Sequence, residues 1–163
     1  MVGDDVAARK ALGPGDIVAG KYELLEEIGQ RGGAGRTFRA RQILLEREVE
    51  LRLLPENTIT KPSDHARFRR EVETWGRLRD DLLVRLYDSG FAEGNAPYMA
   101  LEYFASGSAG DYLRRHGRLP VHACETIARH CLRALEAAHQ AHVLHRNISP
   151  DAIVIESRVD GTV

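Results

Sequence analysis

With 163 residues, 18.2 kDa and a composition 43% hydrophobic and 29% charged, the chain is globular, with room for one ordinary domain or two small lobes. A formal net charge of −1 gives no reason to expect nucleic acid or an anionic membrane as a partner. No apolar run approaches the ~18 residues of a membrane span, and Met1–Asp16 lacks the apolar core of a signal peptide. The expected compartment is the cytoplasm.

Residues 1–20 contain Gly3, Gly13, Pro14, Gly15 and Gly20 and read as a loose lead-in. Tyr22–Ile28 is a predicted strand, followed at once by a glycine cluster, Gly29, Gly32, Gly33 and Gly35. Arg36–Arg41 resumes in strand style. Glu48–Leu54 is the clearest strand of the chain, since Val49, Leu51 and Leu53 alternate with Glu48, Glu50 and Arg52. Strands separated only by short turns favour antiparallel pairing.

After Pro55 the period changes to that of a helix, opening at Pro62-Ser63 with Ser63 as the expected N-cap. Its apolar stripe is Phe68, Val72, Trp75 and Leu78, with Glu71 set among them. A glutamate there must find a partner or lie at the stripe's edge. Leu82–Tyr87 and Tyr98–Phe104 are predicted as two further strands, separated by the turn Glu93-Gly94-Asn95.

Beyond Gly107 the chain turns helical, first over Ala109–His116, closing at Gly117, and then from Pro120 to about Gln140. The long helix carries the stripe Cys124, Ile127, Ala128, Cys131, Leu132, Leu135 and Ala138. Its two cysteines, seven residues apart, would sit ~10 Å apart on a helix, beyond the reach of a disulfide. They read as small apolar residues. The loop from His145 to Ala152 leads into a predicted strand, Ile153–Glu156, and a turn at Val159-Asp160-Gly161.

This succession of local sequences resembles the bacterial-type Ser/Thr protein kinases from Ile17 to Val163. "YELLEEIG…GGAGRTFRA" resembles the family's first strand and glycine-rich loop, and "REVELRLL" its third strand. "FRREVETWGRLRDDLLVRLYDSG" resembles the regulatory helix and fourth strand. "PYMALEYFASGSAGDYLRRHGRLP" resembles the fifth strand and hinge, and "HVLHRNISPDAIVI" the catalytic loop. A lone glycine pattern would be weak, but five segments in order are specific. The resemblance implies an α+β, protein kinase-like fold. Residues 21–104 would form a five-stranded antiparallel N-lobe with one regulatory helix, and 105–163 the incomplete start of the C-lobe.

At the chemical positions the sequence departs from the family. Arg52 stands at the strand-three lysine that touches the α- and β-phosphates, and could pair with Glu71, which matches the regulatory-helix glutamate. The guanidinium keeps the charge but is bulkier than an ammonium. Glu50 replaces the small alanine lining the adenine pocket, where a carboxylate is costly. Asn147 replaces the catalytic aspartate and cannot take a proton, and Ser149 replaces the lysine at the γ-phosphate. Ala152 stands where an asparagine ligates magnesium and offers no oxygen, so no metal ligand is expected there. The glycine loop reads Gly29-x-x-Gly32-x-x-Gly35, one residue longer than usual in its first interval. All but three of the 23 basic residues are arginine, and Lys21 and Lys61 are poorly placed to help. Any replacement cation is therefore Arg31, Arg36 or Arg52.

Other family positions are kept. Thr37 follows the glycine loop, Leu101 is at the gatekeeper, and Glu102-Tyr103-Phe104 correspond to the hinge. His145 and Asp151 match positions that hold the catalytic loop together, and Arg146 matches one that binds a phosphorylated activation segment. The set reads as a pseudokinase acting through protein partners. ATP and magnesium, the cofactors the resemblance implies, are expected to bind weakly or not at all. The alternative is an ATP-dependent Ser/Thr kinase acting on protein substrates in a longer form. The family's Asp-Phe-Gly would follow Val163, and a whole kinase domain takes roughly 250 residues, so the chain is expected to be a fragment. A metal site from His139, His142 and His145, with His122 or His130, is the remaining reading. The first two lie at a helix end and His145 has a place in the family, which favours ordinary histidines.

Overall fold

The computed structural model describes residues 12–29, 35–55 and 58–156. Its centre is one antiparallel sheet formed by β1 (Ile17–Val18), β2 (Tyr22–Gly29), β3 (Arg36–Gln42), β4 (Arg47–Leu53), β5 (Leu86–Phe91) and β6 (Pro97–Glu102). The order across the sheet is β1-β2-β3-β4-β6-β5. The five expected strands are present, and the two-residue β1 adds a sixth at one edge.

Alternation along β4 sorts the two faces. Phe38, Leu51 and Ala100 lie opposite one another across β3, β4 and β6, as do Leu53 and Tyr98. With Val18, Tyr22, Leu24, Ala40 and Val49 they form the buried core on one side. Thr37, Arg52 and Met99, and beside them Arg39, Glu50 and Leu101, therefore share the other side.

Two strands are shifted from their predicted places. Leu82–Arg85 precedes the sheet rather than belonging to it, because Asp80 folds the chain back. Its carboxylate accepts from Leu82 N–H at 2.8 Å and its carbonyl from Leu83 N–H at 3.1 Å. The strand begins only at Leu86, and β6 ends at Glu102 instead of Phe104. The segment 153–156 is not a strand. Pro150–Ala152 forms a 3₁₀ turn, and only Val154 bridges, to Ser108.

Helix α1 (Pro62–Arg77) has Lys61, not Ser63, at its N-cap. Pro62 takes the first helical position, where its missing N–H costs nothing, and the Asp64 carboxylate accepts from Lys61 N–H at 3.1 Å. The helix rests on β5, with Phe68 and His65 at 5.6 and 4.9 Å from the Phe91 ring centre. Trp75 closes the far end, its Nε1 donating to the Val84 carbonyl at 3.1 Å.

Helices α2 (Ala109–His116) and α3 (Val121–Gln140) match their predicted limits. Ser108 Oγ accepts from Asp111 N–H at 3.0 Å, and the Asp111 carboxylate accepts from Ser108 N–H at 2.8 Å. Of the predicted α3 stripe, Ala138 is buried and Ile127, Cys131 and Leu135 are half-buried, whereas Cys124, Ala128 and Leu132 are exposed. Both cysteines are free. No described helix is long and apolar enough to cross a membrane.

The core side of the sheet ends in a polar knot around Asp88. Its Oδ2 accepts from Tyr22 Oη at 2.8 Å, Lys21 Nζ at 3.0 Å and Tyr98 Oη at 3.1 Å. Burial pushes the Asp88 carboxyl upward, but these donors outweigh it and hold it below the usual range. Burial first, and then the Asp88 carboxylate, raise the Tyr22 phenol. The knot's contribution is therefore complete between about pH 4 and pH 10. It is lost on the acid side as pH falls through the lowered Asp88 value, and erodes above pH 10 as tyrosine ionises in the unfolded chain. Asp88→Asn should lower stability at pH 7 by about 1–3 kcal/mol and flatten the acid limb of a denaturation series run from pH 7 to pH 2. An unchanged acid limb would remove Asp88 from this role.

Candidate functional site

The sheet face opposite the core brings together Thr37, Glu50, Arg52 and Leu101, all named by sequence. Thr37 and Glu50 are 2% and 3% exposed and Leu101 is fully buried, so the polar residues here are as enclosed as the apolar one. Arg52 donates Nε to Glu50 Oε1 at 2.7 Å, and its Nη2 lies 2.7 Å from the same oxygen. The expected partner was Glu71. Glu71 instead sits exposed on α1, at the edge of the helix stripe, and makes no ion pair with a described residue. The reason is placement: α1 is held by β5 through Phe68 and Phe91, while Glu50 is two residues from Arg52 on the same strand face.

The other candidate cation is engaged as well. Arg36 makes a two-point contact with Glu27, Nε to Oε1 at 2.9 Å and Nη2 to Oε2 at 2.6 Å, across the β2–β3 pair. Hydrogen bonding from Arg36 lowers the Glu27 carboxyl. Lys21 belongs to the Asp88 knot. Arg31, Gly32 and Gly33 lie outside the described residues. Gly29 closes β2 at φ +95°, and Gly35 precedes β3 at φ +129°, where a Cβ would strike the Leu53 carbonyl. Only glycine fits there. Glu102 ends β6, its N–H bonded to the Arg85 carbonyl at 2.9 Å, and Phe104 follows, half-buried.

The loop from His145 to Ala152 presents His145, Arg146 and Asn147 to solvent. Arg146 takes a left-handed φ of +60°, and Asn147 N–H donates to the His145 carbonyl at 2.8 Å. The Ser149 carbonyl accepts from Ala152 N–H at 3.0 Å, which starts the 3₁₀ turn and sets Ala152, half-buried, with its methyl as its only side-chain group. Asp151 is the one carboxylate in this loop. Arg114 reaches over from α2 to bond Asp151 Oδ1 and Asp111 Oδ1, both at 2.8 Å. The loop is seated against α2, where Gly110 leaves no space for a side chain beside the Asp151 carboxylate. Among the described residues no group of three His, Cys, Asp or Glu is placed to hold a metal ion.

Sequence reasoning missed Arg114, whose role depends on a contact 37 residues away, and Asp88, whose partners lie 66 and 67 residues away. It also missed the Ser108–Asp111 cap, although a serine three residues before an acid at a helix start was a readable signal.

A protein kinase domain profile matches residues 22–161. The chain is 35% identical over 144 residues to the serine/threonine-protein kinase pkn3 of Myxococcus xanthus, covering 88% of this chain and 26% of that one. It is 35% identical over 141 residues to the serine/threonine-protein kinase PknB of Mycobacterium tuberculosis, covering 84% and 22%. The crystal structure of the Mycobacterium tuberculosis PknI kinase domain superposes with a TM-score of 0.74 at 26% identity, covering 91% of this chain and 60% of that one. The chain thus spans about a quarter of the length of these curated relatives.

Two substitutions test the geometry. Arg52→Ala strands a buried carboxylate and should cost about 3 kcal/mol in chemical denaturation, whereas Glu71→Ala, at an exposed position, should stay within ~0.5 kcal/mol. Equal losses would restore the Arg52–Glu71 pairing. Gly110→Ala should displace Asp151 and speed amide exchange across 149–155; unaltered exchange there would show that the loop is seated by other contacts.

Proposed function

Because the chain belongs to the protein kinase domain family, of the bacterial Ser/Thr kinase type, we propose that it is a pseudokinase. It would serve as a regulatory or protein-interaction module with weak or absent nucleotide binding. The observation that carries this reading is the state of the loop at Asn147. Phosphoryl transfer uses a carboxylate to orient the acceptor hydroxyl and accept its proton. General-base assistance of this kind is worth typically ~10²–10⁴-fold. Position 147 offers a neutral amide in its place. Asp151, the loop's only carboxylate, is tied to Arg114 against α2 and cannot stand in.

The remaining groups do not fit ATP and magnesium. Ala152 supplies no oxygen to a hard cation. Arg52 and Arg36 are both committed to glutamates. In this reading 21–104 form the N-lobe and hinge and 105–163 the start of the C-lobe. Protein partners and the cytoplasm are its natural setting. The 35% identity to pkn3 and PknB, both named as serine/threonine-protein kinases, favours a second reading. In that reading a longer form transfers phosphate from ATP to Ser or Thr, with arginine acting for lysine.

Incubating the chain with radiolabelled ATP, magnesium and a generic protein substrate separates the two. No incorporation above background is expected, and Asn147→Ala should leave that background unchanged. Incorporation abolished by Asn147→Ala or Arg52→Ala would establish the kinase reading instead.

A further inference from the structure

We infer that Glu50 is the residue that keeps polyphosphates off this sheet face, by holding Arg52 as a built-in counter-ion; the inference rests on the reading of weak or absent nucleotide binding. Glu50 and Arg52 share the face with Thr37 and Leu101, on the side of the sheet away from the core. Arg52 directs both Nε and Nη2 at one carboxylate oxygen, 2.7 Å away in each case. A phosphate would be recognised by the same planar fork of donors, so ligand and carboxylate compete for one group.

The competition is unequal. Glu50 is 3% exposed, so water cannot replace Arg52 if the arginine leaves. A phosphate that recruits Arg52 must abandon a buried, unbalanced carboxylate, the most costly way to break such a pair. It must also approach a like charge through a medium that screens poorly. Arg36 is different. Its pair with Glu27 is 40% and 42% exposed and can exchange with a ligand at little cost. Exclusion therefore resides at Glu50 and not in a general shortage of positive charge.

The register removes the simplest escape. Turning Glu50 outward by a one-residue slip of β4 would bring Val49, Leu51 and Leu53 out of the core with it. Glu50 is committed to this face as long as the sheet is folded.

The full chain and the variants Glu50→Gln, Glu50→Ala and Glu50→Gln/Arg52→Ala are titrated with ATP and with inorganic tripolyphosphate. Thermal midpoint and calorimetric binding are the readouts, each variant being first checked for fold by circular dichroism. Glu50→Gln keeps the volume and removes the charge; Glu50→Ala serves if the glutamine is poorly tolerated. Both single variants should bind either ligand at least tenfold more tightly than the unaltered chain. Their midpoints should rise by roughly 3–6 °C at a tenfold excess over Kd. The gain should vanish in the double variant. If both single variants bind neither ligand, as the unaltered chain is expected to, the inference fails and the pseudokinase reading stands. A gain that persists without Arg52 also overturns it. An unaltered chain that binds ATP as tightly as Glu50→Gln overturns both.

Discussion

The alternation of β4 is the constraint on which the rest of the structure depends. Val49, Leu51 and Leu53 are needed by the core, where they meet Phe38, Ala40, Tyr98 and Ala100. A strand has period two, so filling the core with these three commits Glu50 and Arg52 to the opposite face. A carboxylate and a guanidinium two residues apart on one strand face are close neighbours, and burial makes their pairing obligatory. The ion pair is thus a consequence of core packing. It is not an addition to a site that would otherwise be open.

The same logic runs through the other charges. Arg36 faces Glu27 across the β2–β3 pair, Lys21 joins Asp88, and Arg114 joins Asp151. Each cation that sequence might have offered to a phosphate has an internal anion at 3.0 Å or less. These pairs differ in worth. Arg36–Glu27 is open to solvent and contributes little, whereas Arg52–Glu50 is enclosed and strong only while intact. A site whose cations are neutralised within the chain presents little net field to an anion. That property does not depend on any one substitution in the catalytic loop.

How much was legible in the sequence follows from how local each signal was. Glu48–Leu54 and the limits of α2 and α3 were readable because alternation, capping residues and apolar periodicity are contained in the segment itself. Leu86–Phe91 was not. Its Asp88-Ser89-Gly90 are poor strand formers, and the strand exists because β6 pairs with it and Asp88 binds donors on two other strands. Leu82-Leu83-Val84 looked like a strand for the opposite reason, an apolar run that the Asp80 turn withdraws from the sheet. At the site, identities were legible and partnerships were not. Arg52 and Glu50 stood out as misfits, but which glutamate the arginine would take depended on where α1 docks.

That docking has a further consequence. Phe68, His65 and Phe91 hold α1 against β5 by ring packing, and Trp75 fastens its end to Val84. No ion pair among the described residues ties α1 to β4. A helix positioned by apolar contacts does not sense whether a phosphate occupies the other face of the sheet, because neither Arg52 nor Glu50 touches it through charge. Coupling between two sites requires an element whose equilibrium both of them bias. Here the helix and the ion pair are separately satisfied, one by aromatic packing and the other by its own strand. The arrangement suits a rigid surface for other proteins better than a domain that changes shape on binding nucleotide.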